Sequence, residues 1–154
     1  MSHFYRFLLI CILTGSLTLG ANAQTSTVEE SAISYFNRGL HSLTLGDSVI
    51  AYQQFEQAYG FSYKEDKITY YYLMLALHLQ KAFAVPATLS WLKETTNVIY
   101  QSRLQYFLGE YYYQQKQVEN AITAFLKVPI EDLNNDEIFK LKFHLGYLLS
   151  LIHI

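Results

Sequence analysis

Histidines, paired carboxylates and tyrosines are the side chains here that could do chemistry, and their spacing decides which chemistry is available. A metal site wants ligands at i, i+4 or in His-x-Glu order. His41, His78 and His144 stand in separate segments, and none belongs to such a pair. Acids pair at Glu29-Glu30, Glu65-Asp66, Glu131-Asp132 and Asp136-Glu137. Each pair lies in a loop or where a helix begins, and there negative charge complements the helix dipole. Serines and threonines lack a placed histidine or lysine base, and no glycine-rich loop could cradle a phosphate. No catalytic residue, cofactor or metal site is therefore expected. Tyrosine is the unusual resource, with 14 in the chain and the runs Tyr70-Tyr71-Tyr72 and Tyr111-Tyr112-Tyr113. Its apolar body and polar tip suit core edges and contact surfaces. On a helix each run spreads over core and open face, with packing the role of most members. The chemistry expected is binding.

The elements that must position these residues are written as a repeat. Gly39, Ala51, Phe55 and Ala58 recur, seventy positions on, as Gly109, Ala121, Phe125 and Val128. A weaker copy lies midway at Ala87 and Trp91. The period of about 34–36 residues is that of stacked helical hairpins. Thr27 with Glu30 forms a capping box for a first helix reaching Leu45. Gly46 supplies a left-handed C-cap and Asp47 the next N-cap, and Gly60 closes that second helix. Further helices are expected from about Glu65 to Lys81, Val85 to Asn97, Tyr100 to Lys116 and Val118 to Val128. Pro86 fits a first turn, Pro129 is a stop, and Asn134-Asn135-Asp136 opens a last helix. The predicted fold is all-α, a right-handed solenoid of antiparallel helix pairs. Three hairpins span 28–60, 65–98 and 100–129, and residues 134–154 form the first helix of a fourth.

These residues resemble the tetratricopeptide repeat (TPR) family. Leu108-Gly109-Glu110-Tyr111-Tyr112 with Ala121-x-x-x-Phe125, and Arg38-Gly39 with Ala51-x-x-x-Phe55-x-x-Ala58, carry its pattern. Leu145-Gly146-x-x-Leu149 matches the first helix only. The middle copy departs from it, because Leu75 replaces the glycine, Trp91 replaces the phenylalanine and the Gly-Asp turn is missing. The resemblance implies a concave groove lined by the first helix of each pair. Its ligand-facing positions fall on Phe36, Tyr72, Tyr106 and Phe143, and on Leu40, Ala76, Glu110, Tyr113 and Tyr147, with Arg103 bringing positive charge. The implied ligand is a peptide or a partner helix. The lysines and asparagines with which relatives clamp acidic chaperone tails are absent from these positions.

The first 23 residues read as an export signal. Arg6 precedes the apolar run Phe7–Leu13, and Ala21-Asn22-Ala23 offers a cleavage site. Thr14, Gly15 and Ser16 break the run well short of the roughly 20 residues a membrane span needs. Cys11, the only cysteine, lies inside this signal. A cysteine-free exported chain fits a bacterial periplasm or cell envelope. Without Arg6 the chain holds 10 basic and 13 acidic residues, with no basic stripe for nucleic acid. The closing run Leu149–Ile154 reads as translated sequencing-adaptor sequence, and the chain as the front of a longer protein of Bacteroidetes-like style. The expected function is a non-catalytic interaction module or scaffold. Self-association, or service as the TPR part of a larger enzyme or regulator, is the alternative.

Overall fold

The structure is a computed structural model that describes residues 27–61 and 65–152. The expected export signal and His153 lie outside the described residues. All regular structure described is helical. Helix α1 covers residues 27–44. It is followed by α2 (Ser48–Gly60), α3 (Asp66–His78), α4 (Ala84–Glu94), α5 (Val98–Gln114), α6 (Val118–Phe125) and α7 (Asn135–Ile152). A 3-10 turn, Ile130–Asp132, separates α6 from α7. Among the described residues, no helix is long and apolar enough to cross a membrane.

One turn is built three times. Gly46 (φ 79°), Gln80 (φ 53°) and Lys116 (φ 58°) each take the left-handed conformation just past α1, α3 and α5. The next amide then donates back across the helix end: Asp47 to Ser42, Lys81 to Ala76 and Gln117 to Tyr112, at 2.9–3.0 Å. This closure satisfies carbonyls that a helix end leaves orphaned. Only Gly46 announces it in sequence, because Gln80 and Lys116 adopt the conformation without glycine. Helix starts follow side-chain caps. The Asp47 carboxylate accepts from the Ile50 amide at 2.9 Å, and the Asn97 carbonyl from the Tyr100 amide at 3.2 Å. Asn134 and Glu137 cap each other's amides at 3.0 Å. The expected fourth helix ran to Asn97, but it stops at Glu94, and Asn97 opens α5 instead.

The glycines explain how hairpins close. A Cβ on Gly39 would stand 2.5 Å from the Phe55 ring, and one on Gly109 2.5 Å from the Phe125 ring. Without that atom, α1 meets α2 and α5 meets α6 with a buried ring between them. Ala51 and Ala121, also fully buried, complete the seams. The middle pair has Leu75 at this position, itself buried at 3 % exposure. Helix α4 buries only Ala84 and Thr88, and Trp91 is half-buried. Helix α3 finds its other neighbours in α2 and α5, and α7 packs on α6.

Candidate functional site

The ten residues placed in the groove do not share one surface. Phe36, Ala76 and Tyr106 are core residues, 4 %, 0 % and 3 % exposed. The Phe36 ring lies 5.4 Å from Phe55 and 5.5 Å from Tyr71. Tyr106 lies 5.3 Å from Phe107 and 6.3 Å from Phe125. A position that the resemblance assigns to ligand is thus used to fill the space between hairpins, and these three are corrected to packing residues. Burial raises the Tyr106 phenol above its ordinary value, with Glu110 and Glu137 adding to the effect. Leu40 is half-buried against the core.

The two charged candidates already have partners. Arg103 pairs with Glu137 at 2.7 Å, and Glu110 meets His144 Nδ1 at 2.7 Å. Both contacts join residues 34 apart, as does the hydrogen bond from Gln80 Nε2 to Gln114 Oε1 at 3.3 Å. These contacts link α5 to α7 and the turn after α3 to the end of α5. Burial works against the Arg103 charge, but Tyr70 and Glu137 more than offset it and hold the guanidinium above its usual value. What stays open lies on α5 and α7. Tyr113 is half-buried and stacks on His144 at 3.9 Å. Phe143 and Tyr147 are 61 % and 51 % exposed. Beside them Gly146 faces open space.

Tyr72 sits elsewhere, in a cleft opened by the middle hairpin. Its ring stacks on Tyr59 at 4.6 Å, Tyr52 at 5.6 Å and Phe83 at 5.7 Å. Tyr59, Tyr72, Phe83 and Trp91 wall a hollow of about 350 Å³ between α2, α3 and α4. A second hollow of about 290 Å³ shares Tyr59, Thr69, Trp91 and Glu94 with it and extends to Asp66. Phe83 and Tyr59 are exposed, at 39 % and 49 %. Such a wall offers large apolar area and π faces, with carboxylates at one end. Sequence reasoning missed Tyr59, Phe83 and Trp91 as surface residues. The available signal was the departure of the middle repeat from its own pattern.

Among the described residues no three His, Cys, Asp or Glu side chains stand close enough to hold a metal ion. Comparison with protein-family models, with curated proteins and with solved structures finds no match.

Proposed function

We propose that the chain is a non-catalytic interaction module of TPR type, an exported scaffold of the bacterial envelope that binds a peptide or partner helix. The supporting observation is the set of contacts between residues 34 apart, which link the turn after α3 to α5 and α5 to α7. The α5–α7 face presents Tyr113, Phe143 and Tyr147, the aromatic type that dominates contact energies. Selection of peptides from a displayed library, followed by titration, tests the proposal. Tyr147→Ala should weaken a selected peptide more than tenfold while helicity is unchanged, since the side chain is half exposed. Equal binding by Tyr147→Ala and Phe143→Ala would remove this face from the function.

A second reading, self-association, draws on the exposed aromatic side chains of α7, Phe139, Phe143 and Tyr147. Light scattering over a range of concentrations separates the two, because a monomer at all of them leaves only the binding module.

A further inference from the structure

We infer that the cleft between α2, α3 and α4 is a second binding site, one that takes an arginine flanked by apolar residues in an extended peptide. It does not rest on the α5–α7 face. Three observations carry it. First, the lining is aromatic: Tyr59, Tyr72, Phe83 and Trp91 all border the cleft, and Tyr59 and Phe83 are exposed. A planar guanidinium stacks on such faces, and Trp and Tyr are its best partners. Second, the cleft carries negative charge at one end. Asp66 and Glu94 both line it, and among the described residues neither has a basic side chain within ion-pairing distance. Among the described residues, Asp66 accepts from the Thr95 hydroxyl at 3.1 Å, and Glu94 from the Ser90 hydroxyl at 3.2 Å. Both neighbours are neutral, so the carboxylates keep capacity for the forked donors of arginine.

Third, the space fits. Of the two overlapping hollows, the one of about 350 Å³ lies at the low end of the range for small-ligand pockets, and the one of about 290 Å³ just below it. That is room for one long side chain and its apolar neighbour. Phe83, Ala87 and Glu94 lie along the α4 side of the cleft, so apolar contact leads toward the carboxylate end. An acidic or purely apolar segment would leave both carboxylates without a partner and partly desolvated, which disfavours it.

Trp91 is the only tryptophan in the chain, and its emission reports on this cleft alone. The full chain is titrated with a short tryptophan-free peptide holding arginine between leucines, and with peptides in which glutamate or leucine replaces the arginine. The expected result is a saturable change in Trp91 emission with the arginine peptide and at least tenfold weaker binding of the other two. Glu94→Gln and Phe83→Ala should each weaken the arginine peptide at least fivefold, and added salt should weaken it further. Both residues are exposed, so helicity should hold. Tyr147→Ala should leave this titration unchanged, which separates failure here from failure on the α5–α7 face. No saturable change, equal binding of the leucine or glutamate peptide, or indifference to Glu94→Gln would overturn the assignment.

Discussion

The α5–α6 and α3–α4 hairpins share a period and a turn, yet one is closed and the other open. In α5–α6, Gly109 lets the Phe125 ring settle within 2.5 Å of where a Cβ would be, and α6 buries Ala121, Ala124 and Phe125 in only 8 residues. In α3–α4, Leu75 fills that place, and the 11 residues of α4 bury Ala84 and Thr88. Hollows lie on both sides of α4: the aromatic cleft toward α3, and one of about 450 Å³ toward α5, lined by Leu89, Leu92, Val98 and Pro129. The difference teaches that the space left by one absent side-chain carbon, repeated at Gly39 and Gly109, lets a ring close and lock the hairpin. Where the lock is lost, the second helix becomes the wall of a cleft.

The largest test removes the locking ring. Phe125 is 1 % exposed, so Phe125→Ala should cost about 3–5 kcal/mol in urea unfolding. Trp91→Ala, at the matching but half-open position, should cost roughly 1–2 kcal/mol despite the larger side chain. Equal losses would erase the contrast.

The glycines sharpen it. Gly109→Ala drives a Cβ into Phe125 and should destabilise by roughly 1–3 kcal/mol. Gly146→Ala meets open space and should stabilise by about 0.5–1 kcal/mol through helix propensity. Thermal melts of the two variants check the signs.

Alkali probes the other side of the middle hairpin, where Tyr70 of α3 stacks on Tyr100 of α5 at 4.8 Å. Burial pushes the Tyr70 phenol from 10.0 up to about 12, with Arg103 opposing. A raised folded value means the fold favours the neutral phenol. Its contribution is therefore complete below 10.0 and is lost as pH rises toward about 12. Urea midpoints should fall across that window, and Tyr70→Phe should flatten the fall.

A comparably small effect concerns Thr88, fully buried on α4, whose hydroxyl has no hydrogen-bond partner among the described residues. Thr88→Val should add on the order of 1 kcal/mol by removing an orphaned polar group. A loss of that size instead would mean the hydroxyl is satisfied.

All-helical structure was legible from the spacing of Gly39, Ala51 and Phe55 and their echo, because periodicity reports directly on which residues face a neighbour. Gly46 and Asp47 were legible as a turn and a cap because each residue type has a local reason to be there. The turns at Gln80 and Lys116 were not, since their conformation is imposed by the helices they join. Exposure at the groove positions was not legible either. Phe36 and Tyr106 occupy positions that the resemblance gives to ligand, but burial depends on how far neighbouring hairpins approach. The same limit hid the cleft, whose walls come from three helices.

Native-state hydrogen exchange, read helix by helix, tests the central contrast most directly. If the Gly–Phe lock holds α6 and its absence frees α4, amides near Thr88 and Trp91 should open at a free energy at least ~1–2 kcal/mol below those near Ala121 and Phe125. Equal or greater protection of α4 would contradict the account.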